Sequence, residues 1–205
     1  LINNSHVTVI SDEIYEHINF GSRHQSLGQF EEIKEQVVTV NGVSKAWAMT
    51  GWRLGYIGAS SKIAAACSKI QGQFTSGTSS ITQKASIAAL NADPAVLKDM
   101  LTAFHKRRDL VLGMLNNIEG VKTNIPEGAF YVFPDVSYFY GKSFGGITIN
   151  DANDLAMYLL NEALVAIVTG EAFGDKNCIR ISYAASEETL IDAMNRIKIA
   201  LEKLS

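Results

Sequence analysis

Asn41 to Gly55 reads NGVSKAWAMTGWRLG. It places Lys45 among small and apolar residues (Val43, Ala46, Trp47, Met49) and sets Arg53 just beyond a Thr50-Gly51 turn. Immediately before it, Gln36 to Val40 is QVVTV, a β-branched apolar run that reads as a buried strand. Overlapping its far end, Arg53 to Ala59 is RLGYIGA, a further strand with glycines where backbone or ligand approaches closely. The lysine thus follows the carboxyl end of a strand, where open α/β sheets bind their ligands. Two cations in a segment otherwise fit for burial have two readings. Either their stems lie on apolar neighbours at the surface, or both are anchored to something anionic.

Working outward, Val7-Thr8-Val9-Ile10 predicts a first strand buried on both faces, and SDEIY (Ser11 to Tyr15) sits at its carboxyl end. Helices are predicted over Lys62 to Ile70 and Ser79 to Leu90. Another is predicted from Asp93-Pro94 to Gly120, with Leu97, Leu101, Phe104, Val111, Leu115 and Ile118 as its apolar stripe. After Gly120 the texture changes. VKTNIPEGAFYVFPD gives turn residues and an aromatic strand, and Tyr138 to Asn150 reads as a loop. Asp151 to Ala163 reads as a helix, and Val165 to Val168 and Cys178 to Tyr183 as strands. A last helix is capped by Ser186, with Glu187-Glu188 in its first turn. The expected fold class is α/β: residues 1–119 form a mainly parallel sheet with helices, and 120–205 a smaller α+β domain.

The 205 residues are enough for one large domain or two small ones. With 47% hydrophobic and 19% charged residues the chain reads as globular rather than disordered. A net charge of −3 provides no positive field to draw nucleic acid or an anionic membrane, so neither is an expected partner. The basic cluster His105-Lys106-Arg107-Arg108 lies in a helical stretch and reads as a solvated face. Cys67 and Cys178 lack metal-ligand spacing and read as free, reduced, partly buried thiols of a cytoplasmic protein; no metal is expected. No apolar run reaches membrane-spanning length, and the start without methionine, directly before a strand, is expected of a segment cut from a longer protein.

Asp12 and Tyr15 could hold one ring by two neighbouring atoms; equally, Asp12 could cap the following turn and Tyr15 be a half-buried aromatic. Lys45, partly desolvated, would be available as a Schiff-base amine. Arg53 carries the planar donor fork suited to phosphate. Pyridoxal 5'-phosphate has a ring nitrogen, a phenolic oxygen, an aldehyde and a phosphate, so each of the four side chains finds a partner on it.

GVSKAWAMTGWRLG resembles the lysine signature of the class I aminotransferases, the fold-type I pyridoxal-phosphate enzymes, at every constrained position. DEIYE, EGAFYVFPD and EAFGDKNCIRISYAASEE resemble the same family in the same order, so the likeness covers essentially the whole chain. The resemblance implies that Lys45 links to the cofactor aldehyde and then shuttles the substrate Cα proton. It implies that Asp12 keeps the pyridine nitrogen protonated, Tyr15 bonds the phenolic oxygen and Arg53 binds the phosphate. Arg180 would clamp the substrate α-carboxylate; apart from the family, it reads equally as a strand residue paired with a surface carboxylate. Ser44 is left open, since some relatives use a hydroxyl beside the lysine for phosphate.

Three departures stand out. Thr169 occupies a position that is proline in many relatives. The loop YFYGKSFGGITIN resembles the aspartate and aspartate/prephenate branch. The family's amino-terminal half, which supplies further cofactor contacts and a tyrosine from the partner subunit, has no counterpart here. The implied activity is transamination between an amino acid, aspartate foremost, and a 2-oxo acid, 2-oxoglutarate, in a homodimer of the full-length protein. The alternatives are a prephenate or aromatic aminotransferase, a pyridoxal-phosphate lyase, or an effector-binding module of a regulator. The Ser-rich loop Thr75 to Ser80 is a candidate for the subunit interface, against a plain helix-capping loop.

Overall fold

The computed structural model describes Ile2 and residues 5–205. The chain divides into two compact units, Leu1–Asp99 and Met100–Ser205. In the first, β1 (Val9–Asp12), β2 (Val37–Gly42) and β3 (Gly55–Gly58) form one sheet in the order β1-β2-β3. β1 runs parallel to β2, with Val9 opposite Val37, and β3 runs antiparallel, with Gly42 opposite Gly55. The sheet is therefore mixed rather than mainly parallel. The reason is local: residues 43–54, which join β2 to β3, contain turns and one short 3₁₀ segment. A parallel return would need a longer crossover.

Burial also departs from expectation. β2 is a core strand, with Val37 and Val38 buried, but Val7 and Ile10 of the VTVI run are exposed, Ile10 to 72%. β1 has a partner on one edge only, and its outer face meets no cover among the described residues. The helices α1 (Ser61–Phe74) and α2 (Ser80–Leu90) follow, as the alanine-rich sequence predicts. α1 buries none of its residues, and Phe74 is 84% exposed.

The predicted helix from Asp93 begins as a 3₁₀ turn, Pro94–Leu97, whose Asp93 cap accepts from the Ala95 N–H at 2.8 Å. It continues as α3 (Lys98–Leu115). Leu97, Phe104, Val111, Leu115 and Ile118 of the predicted stripe are buried. The basic cluster is only partly a solvated face. Arg108 is buried, because its guanidinium is satisfied by the Asp109 carboxylate at 2.7 Å and the Pro126 carbonyl at 3.1 Å.

In the second unit β4 (Tyr131–Val132) leads to a hairpin, β5 (Ser143–Phe144) and β6 (Ile147–Thr148). The hairpin lies inside the predicted loop. Its turn is Gly145-Gly146, at φ 59° and 83°, the conformations a two-residue hairpin turn demands. α4 (Ala152–Tyr158) is capped by Asp151 and runs into a π-helical turn, Leu159–Ala163. β7 (Val168–Thr169) and β8 (Ile179–Ser182) complete an antiparallel sheet in the order β4-β8-β7. α5 (Glu187–Glu202) closes the chain; the Ser186 hydroxyl accepts from the Thr189 N–H at 3.1 Å. Leu190, Met194, Ile197 and Leu201 of α5 are all buried. Tyr158, fully buried, donates to the Ala200 carbonyl at 2.8 Å and so ties α4 to α5.

Gly120, at φ 84°, ends the α3 segment with the Tyr138 ring packed against its Cα; a Cβ there would lie 1.9 Å from a ring carbon. Gly120→Ala should therefore destabilise the protein by about 2–4 kcal/mol, combining left-handed strain with overpacking. Urea denaturation of the variant beside the parent measures this, and unchanged midpoints would contradict it.

Candidate active site

The three residues that end β2, Val40, Asn41 and Gly42, organise the site in the first unit. The Glu13 N–H donates to the Val40 carbonyl at 2.9 Å, which continues the β1–β2 ladder one residue past Asp12. The Asn41 side-chain amide donates to Glu16 at 2.8 Å, and its oxygen accepts from the Gly42 N–H at 2.7 Å. The chain then turns. Val43 and Ala46 are buried on either side of the half-buried Lys45, and the Met49 N–H donates to the Val43 carbonyl at 3.3 Å. Ala48 and Arg53 take left-handed backbone conformations, φ 51° and 54°, which bring the turn back to β3.

These elements line an open cavity of about 470 Å³, bordered by Asp12, Asn41, Ser44, Lys45, Thr50 and Arg53 among others. Three of the four cofactor-binding residues read from the sequence thus share one cavity. Tyr15 does not line it, but the Lys45 Nζ lies 5.7 Å from the Tyr15 ring centroid. Asp12 lines the cavity with its side chain exposed, and it caps the following turn as the second reading has it: its Oδ1 accepts from the Ile14 N–H at 3.2 Å. Arg53 is exposed and donates through Nη1 to the Thr50 carbonyl at 2.8 Å, an arrangement that anchors one end of the guanidinium. The cavity suits a small cofactor with one cationic ring nitrogen and one dianionic group: its volume falls in the range of ligand pockets, and it offers one carboxylate, one amine and one guanidinium.

Behind Asp12 lies a feature the sequence did not reveal. Glu13 is 5% exposed, and its carboxylate accepts from the Ser11 and Ser26 hydroxyls, both at 3.0 Å, and from the Leu27 N–H at 3.3 Å. His24 Nε2 lies 3.0 Å from its other oxygen. Glu13, Glu16 and His24 place ligand atoms within 4.8 Å of one another, with both Glu13 oxygens and the Oε1 of Glu16 already accepting hydrogen bonds. Burial raises the Glu13 pKa, and the bonds from His24, Ser26, Ser11 and Leu27 outweigh it, so the carboxyl is held below its ordinary value.

Arg180 lies in the second unit, on the central strand β8, half-buried and opposite Val168. Ile179 and Ile181 are buried, so Arg180 projects from the other face, as its apolar flanks predict. Its guanidinium carbon lies 4.4 Å from the Tyr131 ring centroid and 4.1 Å from that of Phe173. The alternative of a pairing with a surface carboxylate is not what the structure has: among the described residues no hydrogen-bond or ion-pair partner of Arg180 is found. The sequence flagged EGAFYVFPD and EAFGD but assigned no role to Tyr131 or Phe173. The neighbouring Cys178 is buried, its thiol pushed up to about 11 by desolvation and by Asp175, whereas Cys67 is exposed.

A family model, "Aminotransferase class I and II", matches residues 1–197. The chain belongs to that family. The chain is 52% identical over 198 residues to a bifunctional aspartate aminotransferase and glutamate/aspartate-prephenate aminotransferase of Petunia hybrida, covering 94% of this chain and 41% of the relative. It is 45% identical over 208 residues to an aspartate aminotransferase of Rhizobium meliloti strain 1021, covering 100% of this chain and 51% of that one. The crystal structure of a Rhizobium meliloti aspartate aminotransferase superposes with a TM-score of 0.93 at 45% identity, over 98% of this chain and 51% of its own. An aromatic aminotransferase from Pyrococcus horikoshii gives 0.87 at 35% identity, over 98% and 52%. The chain thus spans about half the length of the curated relatives it matches. Enzymes of this aminotransferase family use pyridoxal 5'-phosphate, and the α/β fold is that of its structural neighbours. No helix among the described residues is long and apolar enough to cross a membrane.

The lowered Glu13 pKa has a consequence for acid stability. The ionised carboxylate stabilises the fold above its unfolded value of 4.5, and that contribution is lost as pH falls through the lowered folded value. Glu13→Gln removes the titration, so its stability should fall less steeply than the parent's below about pH 5. Urea midpoints across the acid range measure the difference; parallel curves would exclude Glu13 as the source.

Proposed function

We propose that this chain supplies the lysine, the cofactor-anchoring side chains and the carboxylate-binding arginine of a pyridoxal-phosphate-dependent transaminase that acts on aspartate and 2-oxoglutarate. The observation that carries the reading is the single cavity lined by Asp12, Lys45 and Arg53. Bound there, the cofactor supplies an electrophilic aldehyde and an electron-withdrawing ring. Lys45 Nζ would hold the cofactor by that aldehyde and would carry the substrate Cα proton. The Asp12 carboxylate would keep the ring nitrogen protonated, the Tyr15 hydroxyl would donate to the phenolic oxygen, and the Arg53 fork would hold the phosphate. Arg180 orients the substrate through its α-carboxylate.

Aspartate as donor is supported by the names of the relatives and by the likeness of YFYGKSFGGITIN to the aspartate branch. The Petunia hybrida relative's name supports a second acceptor, prephenate, at the same site. By the same resemblance we assign residues 1–119 to a large cofactor-binding domain and 120–205 to a small one, although the compact units divide at Asp99. We further assign a cytoplasmic homodimer, with residues 75–80 near the subunit interface.

Borohydride reduction of the natural full-length protein loaded with pyridoxal phosphate should leave the cofactor attached at Lys45, read by peptide mass spectrometry. Lys45→Ala should lower transamination of aspartate at least ~1,000-fold, because nucleophile and proton carrier are lost together. Retention of the full rate would overturn the assignment, and a turnover independent of 2-oxo acid would replace transamination with elimination.

A further inference from the structure

We infer that Tyr131 and Phe173 are positioning residues of the carboxylate-binding arginine. They hold the guanidinium of Arg180 by its faces and leave its in-plane N–H fork to a planar carboxylate. The inference rests on the reading of Arg180 as the substrate-carboxylate residue. It goes further in naming what aims it and what ligand geometry it accepts.

The starting observation is an apparent deficit. A half-buried guanidinium carries five donors in one plane, yet none meets a hydrogen-bond or ion-pair partner among the described residues. What Arg180 has instead is two rings at stacking distance, 4.4 Å and 4.1 Å from its central carbon. Ring faces attract the cation through their quadrupole without using the N–H edge. A flexible side chain is thereby held in place while its hydrogen-bonding capacity stays whole.

Both rings are themselves fixed. Tyr131 is directly opposite Ser182 across the β4–β8 pair, so it lies on the face that carries Arg180, as its diagonal neighbour. Its ring leans on Phe130 at 4.8 Å, and Phe130 stacks on Phe104 of α3 at 5.4 Å. Ahead of them Ala129 is forced to φ 58°, with its carbonyl accepting from the Tyr183 hydroxyl at 3.1 Å. Phe173 comes from the 3₁₀ turn Gly170–Phe173. That turn sits close to the Cys178 carbonyl, to which the Gly170 N–H donates at 2.7 Å; a Cβ on Gly170 would lie 2.5 Å from the same oxygen. Gly174, at φ 90°, ends the turn, and Phe133 meets the Phe173 ring edge-on at 6.4 Å.

Phe173 is 47% exposed, so shortening it opens no buried cavity. In the natural full-length protein loaded with cofactor, Phe173→Leu and Tyr131→Leu should each raise KM for aspartate, and Kd for maleate by calorimetry, by about 5- to 20-fold, the range of a partly desolvated cation–π contact. The kcat should change by less than about twofold, as for a lost contact that ground and transition states share. Phe173→Tyr should restore parent values. In an Arg180→Lys background, which lacks the planar fork, Phe173→Leu should add little. Unchanged KM and Kd in the two Leu variants would overturn the inference. So would losses that fall on kcat and persist undiminished in the Arg180→Lys background, and so would a parent that binds no maleate. A parent that binds maleate with this dependence on Phe173 and Arg180 but transaminates nothing would overturn the proposed reaction and leave the positioning role standing.

Discussion

The end of β2 is the constraint on which the cavity of the first unit depends. Within Val40–Gly42 one carbonyl extends the ladder to Glu13, one side chain ties down Glu16, and one glycine lets two backbones meet. A Cβ on Gly42 would lie 3.0 Å from the Leu54 carbonyl and 3.2 Å from the Gly55 Cα. That close passage lets β3 return alongside the strand it left, so the intervening turn must bulge toward the carboxyl end of the sheet. Lys45 and Arg53 are the cations of that bulge, and Asp12 lines the same cavity because β1 runs parallel to β2 and its last residue pairs with Val40, two residues before β2 ends. A cavity with one carboxylate and two cations follows from strand pairing.

Much of this was legible in the sequence, and the gaps have physical causes. β-branched runs marked the strands, and cap residues marked the helices, because both are local preferences. Asp93-Pro94 and Ser186 stand where they were read. Strand direction was not legible, since QVVTV reads the same beside a parallel or an antiparallel neighbour. Nor was the exposure of Ile10: an apolar run records what a residue prefers and not what lies over it. The hairpin at Gly145-Gly146 carried a local signal that the aromatic texture of its loop obscured. The residues proposed to act on a ligand stood out as polar residues at strand ends. Glu13, Tyr131 and Phe173, which touch other side chains, have no signature without coordinates.

The two compact units differ in how far they satisfy their own apolar residues. In the second, α4 and α5 present continuous buried faces, joined by Tyr158 and by Arg196, whose Nη1 donates to the Ala163 carbonyl at 2.9 Å where α4's π-helical turn ends. In the first, Ile10, Ile70, Ile81 and Ile87 are exposed, and α1 has nothing buried. Helices in water take most of their stability from a buried face, and α1 buries none of its residues.

The contrast between the two thiols has a practical side. Cys178 lies two residues from Arg180, and with its pKa near 11 only about one molecule in a thousand carries the thiolate at pH 8. Cys67 projects from the exposed helix α1. A maleimide or fluorinated alkylating agent at mildly alkaline pH therefore finds a single reactive handle. A fluorophore or fluorine nucleus placed there would report on the least buried helix of the chain while leaving the arginine strand chemically untouched.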